Sequence, residues 1–206
     1  MPALSSSDSI GFRSGLCIKV IEMRLQGGFV SFKLKILGYQ FPEMGSDPYD
    51  SEWLDIQISI RHSEGRWQDW VNIDPSLETV DVQHLIEWLH EVASHSTVFK
   101  HWRSTRLESR IFFTEPNLGF EAHSDVYGEQ ELALRVYLAA ENLPPFKKDL
   151  QHIELDKREE ISEVWIDFPV NASDLEQAAQ SLTEQLASFP IRTNRKRLPI
   201  ISDQGV

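Results

Sequence analysis

The residues with the greatest capacity for chemistry are histidines and glutamates in one short stretch. Four histidines lie between residues 84 and 101, and two glutamates stand among them. Glu87 and His90 are three residues apart, a spacing that places both on one face of a helix. A di-metal helix bundle would need a second such pair and further carboxylates on other helices, and the sequence offers neither. We therefore interpret these residues as the solvated face of a helix and expect no metal or other cofactor.

Two further short segments could do chemistry, one with several carboxylates for acid–base work or a cation site and one with a carboxylate and an amide for a substrate. The first runs from Asp47 to Glu52, and the second is Glu115-Pro116-Asn117. Asp, Ser, Asn and Pro are the ordinary residues of tight turns, and no calcium-loop pattern follows the first segment. We interpret both segments as turns between strands.

No known catalytic motif accompanies these groups. The sequence lacks glycine-rich phosphate loops, the His-Glu-x-x-His zinc pattern and the Gly-x-Ser-x-Gly nucleophile turn. We therefore predict a protein that acts by binding and has no catalytic residues. The enzyme alternative is a hydrolase whose residues are too dispersed along the chain to be recognised.

The elements that position these groups are mainly strands. Alternating apolar and polar residues, or short apolar runs bounded by turn residues, are typical of strands. These patterns predict strands at Val30–Ile36, Trp53–Arg61, Trp67–Ile73, Ile111–Phe113, Leu118–Glu121, Glu131–Ala139 and Glu163–Phe168.

Two amphipathic helices interrupt the strands. Apolar residues recur at three and four positions over Val82–Ala93, with Thr79 as the predicted N-cap, and over Leu175–Phe189. Ser173 and Glu176 fit a capping box for the second helix. Adjacent strand pairs with only two helices argue against a parallel sheet. The predicted fold is α+β, an antiparallel β-sheet or flattened sandwich with the two helices packed on it.

The chain is expected to form one domain with two irregular ends. Residues 1–28 lack a sustained hydrophobic periodicity, which predicts a poorly ordered extension. Met23 is an alternative start of the protein. Residues 29–191 form the single domain, and residues 192–206 read as a basic flexible tail.

Composition suggests the cellular setting. No apolar run is long enough to span a membrane, and the N-terminus lacks the apolar core of a signal peptide. Cys17 is the single cysteine, so no disulfide can form within the chain. These features lead us to expect a cytoplasmic protein.

Charge indicates the class of partner. The formal net charge is −12, from 32 acidic and 20 basic residues, which disfavours direct binding of nucleic acid. The excess is explained either by solubility or by a basic partner. Among six tryptophans, Trp102 lies in a polar connection and is a candidate anchor for an interaction, whereas most of the others are expected in the core.

Several short segments in a fixed order resemble a known family. They are Leu37–Pro42, Tyr49–Leu54, Asp74–Thr79, Glu115–Glu121, Phe168–Val170 and Phe189–Ile191. Together they resemble the WapI family of bacterial immunity proteins, from Met23 to Arg192.

The resemblance implies a cytoplasmic antitoxin that neutralises the C-terminal toxin of a large contact-dependent surface protein, in the founding case a nuclease that attacks tRNA. A nuclease carries a basic surface for its phosphate substrate, so an acidic inhibitor would be steered to that surface and exclude the nucleic acid. The predicted toxin-binding residues are Asp47, Asp50, Glu52, Asp69, Trp102, Glu115 and Glu121. The alternative within the binding class is an interaction module with another, unknown partner.

Overall fold

The structure is a computed structural model that describes residues 21–44, 50–101, 108–124, 132–150 and 161–192. The elements follow one another as β1 (Met23–Gly27), β2 (Val30–Tyr39), β3 (Trp53–His62), β4 (Trp70–Glu78), α1 (Thr79–Ser94), α2 (Ser96–His101), β5 (Glu108–Phe112), β6 (Leu118–Ser124), β7 (Leu132–Ala139), a 3-10 helix (Ala140–Asn142), α3 (Lys147–Leu150), β8 (Glu163–Val170) and α4 (Ala172–Leu186). None of the helices within these residues has the length and apolar character needed to cross a membrane.

The first sheet is antiparallel, with the strand order β1-β2-β3-β4. Its strands form because apolar and polar side chains alternate, so that one face is buried and the other is wet. In β2 the buried side chains are Phe32, Leu34 and Ile36, and in β3 they are every second residue from Leu54 to Ile60.

The second sheet is also antiparallel, with the order β5-β6-β7-β8. Strand β8 alternates fully between buried and exposed residues. Strands β6 and β7 are buried on both faces, because side chains on the outer face cover one another. Glu121 and Tyr137 are examples, with only 0% and 7% of their surface exposed.

Aromatic side chains join the two sheets in the core. Phe32 of β2 meets Phe120 edge to face at 6.4 Å between ring centroids, and its ring lies 6.2 Å from that of Phe168 in β8. Strand β1 also comes close to β8, since a Cβ atom at Gly27 would lie 2.8 Å from Cδ of Pro169. The sheets therefore form a sandwich that closes along the β1–β8 side.

The two long helices pack on each other and connect both sheets. Their facing side chains are buried and include Val82, Leu85, Leu89, Val92, Leu175, Ala178, Ala179 and Leu182. Helix α1 also contacts β4 and β5, and Trp88 donates a hydrogen bond from Nε1 to Oγ of Ser109 at 2.8 Å. Helix α4 contacts β1 and β2, where Gln185 Oε1 accepts from the backbone amide of Ile36 at 2.8 Å. The pair thus stabilises one side of the sandwich.

The predicted α+β class is confirmed, as are the antiparallel pairing and the two amphipathic helices. The folded region begins earlier than residue 29, because Met23–Gly27 is a strand of the first sheet and Met23 is fully buried. Residues 1–20 and 193–206, which make up most of the predicted extension and tail, lie outside the described residues.

Arg192, the first residue of the predicted tail, is fixed to the fold. Its guanidinium lies over the ring of Tyr39, 3.3 Å from the centroid. It donates hydrogen bonds to the carbonyl oxygens of Phe41 and Met44, both at 3.0 Å. Its backbone amide donates to Oε1 of Glu52 at 2.5 Å. The sandwich therefore holds the chain as far as Arg192.

Candidate functional site

Four carboxylate side chains line one concave surface, at the end of the sandwich where β3 and β6 begin and β7 ends. Asp50 lies in the turn before β3, and Asp74 lies in β4. Glu115 lies in the turn between β5 and β6, and Glu141 lies in the 3-10 helix after β7. We call these four residues and the surface between them the acidic concavity.

A chain of hydrogen bonds between side chains holds the base of the acidic concavity. Asn117 donates from Nδ2 to Oδ1 of Asp74 at 3.1 Å, and Ser76 donates from Oγ to the same oxygen at 3.1 Å. Asn142 donates to Ser76 at 2.9 Å, and Asn72 donates to Asn142 at 2.9 Å. Asn72, Asp74 and Ser76 lie in β4 of the first sheet, whereas Asn117 precedes β6 and Asn142 follows β7 of the second sheet. These bonds therefore fix the position of Asp74 relative to Glu115 and Glu141.

The acidic concavity is suited to a cationic group. Its remaining lining residues are Gln40, Trp53, Pro75 and Asn117, so none of the described lining residues is basic. Within the described residues, no ion pair joins Asp50 or Glu115 to a cation. Oδ1 of Asn117 is buried, and none of the described residues forms a hydrogen bond with it. An ammonium or guanidinium group would be attracted by the carboxylates, and the attraction would weaken as salt is added.

The structure brings together only part of the predicted set. Asp50 and Glu115 share the acidic concavity. Asp69 is exposed elsewhere, beside the first sheet, where Oδ2 accepts from Nη2 of Arg61 at 2.7 Å. Asp47 and Trp102 lie outside the described residues, so their predicted roles stay predictions.

Glu52 and Glu121 are not part of an exposed acidic face, because both are buried within the fold. Glu52 is 3% exposed and accepts hydrogen bonds from the Thr79 hydroxyl and the Arg192 amide. Glu121 is fully buried and accepts from the Tyr137 hydroxyl, with Nε of Arg110 at 3.1 Å. Both side chains are positioned to stabilise the fold, and neither reaches the surface in this structure.

Sequence reasoning missed Asp74 and Glu141. Asp74 lies beside Pro75 and Glu141 follows a predicted strand, so each had the local signal of a strand end. Only the packing of one sheet on the other shows that these two strand ends meet Asp50 and Glu115.

The sequence matches the immunity protein WapI-like family over residues 23–190. The chain belongs to this family. The matched range begins at the first residue of β1 and includes both sheets and α4, which confirms the resemblance drawn from the ordered segments. Among curated proteins, none matches the chain. Immunity protein families are generally non-enzymatic, which agrees with the expectation of a binding protein.

A second cluster of charged and aromatic side chains covers the outer face of the second sheet in this WapI-like fold. Directly paired residues form two rows across the strands. The charged row is Arg110, Glu121, Arg135 and Asp167, and the aromatic row is Phe112, Gly119, Tyr137 and Trp165. We call the two rows together the outer-sheet face.

Ion pairs and ring contacts hold the outer-sheet face together. Arg135 donates to both carboxylate oxygens of Asp167, at 2.6 and 2.9 Å. Its guanidinium carbon lies 5.1 Å from the ring centroid of Trp165 and 5.9 Å from that of Tyr137. Burial and the hydrogen bond to Glu121 raise the pKa of Tyr137, so its hydroxyl remains a donor at neutral pH.

The charged row makes one contribution to stability that depends on pH. Burial alone would raise the pKa of Asp167, but hydrogen bonds from Arg135 and His123 outweigh it and hold the pKa well below its usual range. Because the folded-state pKa is lowered, ionised Asp167 stabilises the fold fully above about pH 4, where an unfolded aspartate is ionised. This contribution is lost as the pH falls through the lowered pKa.

We therefore expect Asp167→Asn to lower the free energy of unfolding at pH 7. The difference in this free energy between the variant and the natural chain should become smaller as the pH falls to about 2. Urea unfolding of the variant and the natural chain, at several pH values and low protein concentration, measures the difference in free energy of unfolding at each pH. Asp69→Asn is the control, since it removes an exposed pair with Arg61 that solvent screens and that therefore contributes little to stability. A deficit for Asp167→Asn that is the same at both pH values would contradict this account.

One histidine of α1 forms a pair with a glutamate of α4. His90 Nδ1 lies 2.8 Å from Oε2 of Glu176 on α4, a contact between the two helices. Within the described residues, no three His, Cys, Asp or Glu side chains are grouped closely enough to hold a metal ion.

Proposed function

We propose that this WapI-like chain is a cytoplasmic immunity protein that binds a basic toxin domain and blocks it. The observation that carries the proposal is the acidic concavity, where carboxylates from four separate segments converge and the described lining residues include no basic side chain. Membership of an immunity protein family supports a toxin as the partner. The net charge of −12 supports a basic one.

The proposed mechanism is steering followed by occlusion. The negative potential of the chain accelerates the approach of a cationic partner, because opposite charges raise association rates. A lysine or arginine side chain of the partner then enters the acidic concavity. If the toxin is a nuclease, the basic surface covered in this way is the one that its phosphate substrate requires. A bound immunity protein therefore excludes the nucleic acid.

The test is binding of the natural partner, captured from the native lysate and then purified. We expect the affinity to fall steeply between low and physiological salt, because the contacts are ionic. Glu115→Lys and Asp50→Lys should each weaken binding roughly tenfold or more, and each should release the toxin activity in the same proportion. Surface plasmon resonance and a toxin activity assay measure these effects.

Asp69→Lys is the matched control, because it makes the same charge change at an exposed aspartate away from the acidic concavity. It should change affinity much less than Glu115→Lys. Equal losses in the two variants would show that net charge alone acts. A partner that is acidic, or whose binding is insensitive to salt, would overturn the proposal.

A further inference from the structure

The outer-sheet face carries charges in an order that is complementary to itself. Across the strands β5 to β8, the charged row reads positive, negative, positive and negative. A two-fold axis parallel to the strands places β5 of one copy opposite β8 of another, and β6 opposite β7. The reversed row then reads negative, positive, negative and positive, so each charge faces its opposite.

We propose that this face is the contact surface of a homodimer, in which two second sheets stack face to face about that axis. Arg110 faces Asp167 of the second copy at both ends of the row. In the aromatic row, Phe112 faces Trp165 of the second copy in the same way. The contact is isologous, as two-fold dimers require.

Exposure places the contact groups on the outer strands. The side chains of Arg110 and Asp167 are 43% and 41% exposed, whereas the inner members of the row are 0% and 17% exposed. Phe112 and Trp165 are 48% and 37% exposed, which is high for large apolar residues. The groups predicted to touch the second copy are thus the accessible ones, and the inner pair supports them from within the sheet.

Charge explains why the occupant is a second copy. Two chains of net charge −12 repel each other over most orientations. The charged row is balanced, with two arginines against two carboxylates, so this contact opposes no like charges and its paired charges offset part of the repulsion. Trp, Tyr, Phe and Arg are also the residues enriched at protein interfaces.

The size of the face sets the strength of the dimer. Four strands about 4.8 Å apart and five residues about 3.4 Å apart span roughly 300 Å² in projection. Permanent dimers bury more than this. The expected association is therefore weak and depends on protein concentration.

The test is analytical ultracentrifugation of the full chain over a wide range of concentration. The natural chain should move from monomer to dimer as its concentration rises. Arg110→Asp and Asp167→Arg should each weaken self-association roughly tenfold or more, because each places like charges opposite one another. An equal mixture of the two variants should form a heterodimer, since the aspartate at 110 then faces the arginine at 167.

Controls separate this geometry from changes in charge or folding. Arg61→Asp makes the same charge change on the first sheet and should leave the dimer intact. Circular dichroism checks that each variant folds. If either charge reversal unfolds the chain, Trp165→Ala removes an exposed ring without changing any charge, and it should also weaken the dimer.

The proposal is overturned by a natural chain that stays monomeric throughout, by charge reversals that leave the dimer unchanged, or by a mixture that fails to associate. If the natural chain is monomeric and Trp165→Ala weakens its binding to the toxin, the outer-sheet face contacts the toxin instead of a second copy. Salt-dependent toxin binding through the acidic concavity is tested separately by Glu115→Lys, so the two proposals can fail independently.

Discussion

Replacing Phe32 with alanine is expected to lower the free energy of unfolding by about 3 to 5 kcal/mol. Phe32 is fully buried at the centre of the sandwich, where its ring contacts Phe120 and Phe168 of the opposite sheet. Its removal takes away the burial of an aromatic side chain and leaves a cavity that the two rigid sheets cannot close. Dispersion contacts on both sides of that cavity are lost together.

Phe29→Ala is the matched control, because Phe29 lies three residues away and is 53% exposed. Its loss should change stability by about 0.5 kcal/mol, as is usual for a surface substitution. Urea unfolding followed by tryptophan fluorescence measures both variants. Similar losses for Phe29 and Phe32 would mean that the two sheets are not joined through this aromatic contact.

The strands were largely predictable because most of them bury one face. In β3 the alternation of isoleucine with polar residues fixes both the strand and its inward side, and the structure buries every residue expected to point inward. Strand β8 follows the same rule with Val164, Ile166 and Phe168. Such a pattern needs only the local sequence, since the burial of one face repeats every two residues.

The missed strand segments lack this signal. Strand β1 has only Met23 and Leu25 as buried alternating residues, and Gly27 ends it. Strand β4 continues from Asp74 to Glu78 through Pro75, which has no amide proton to donate. An edge strand tolerates proline because one side needs no partner, and β4 is the edge of the first sheet. That edge position is a property of the whole sheet.

Helix starts were predicted to within one or two residues. The N-cap of α1 is Glu78 rather than Thr79. The capping box of α4 uses Asn171 and Asp174 instead of Ser173 and Glu176, with the reciprocal bonds at 2.9 and 3.1 Å. Both pairs have the correct spacing in the sequence. The earlier pair is used because β8 ends at Val170 and the helix begins directly after it.

The candidate site was predicted in part. Turn residues rich in carboxylates pointed to Asp50 and Glu115, and both line the acidic concavity. Glu121 has the strand parity of an outward residue and does lie on the outer face, yet it is fully buried by its neighbours. Arg110 and Tyr137, which cover Glu121, come from other strands of the sheet. The alternation of apolar and polar residues within β6 alone therefore cannot show that Glu121 is buried.

The remaining prediction concerns Glu52, which the sequence suggested as a toxin contact. Glu52→Ala is expected to lower the free energy of unfolding by about 2 to 4 kcal/mol, because it removes the acceptor of two donors, the Thr79 hydroxyl and the Arg192 amide. A buried donor left without a partner costs about 1 to 3 kcal/mol. Glu52→Gln keeps one acceptor oxygen and should cost less. Urea unfolding of both variants measures which of them loses more free energy of unfolding.

The same substitution should release the end of the domain, because Glu52 holds the Arg192 amide while the guanidinium lies on Tyr39. Cleavage by trypsin after Arg192 should therefore be faster in Glu52→Ala, since local opening exposes the bond. Asp69→Ala removes an exposed carboxylate and should leave cleavage unchanged. If Glu52→Ala instead kept full stability and lost toxin binding, Glu52 would be a contact residue. Because Glu52 is buried, we expect the variant to lose stability, and to lose toxin binding only to the extent that it unfolds.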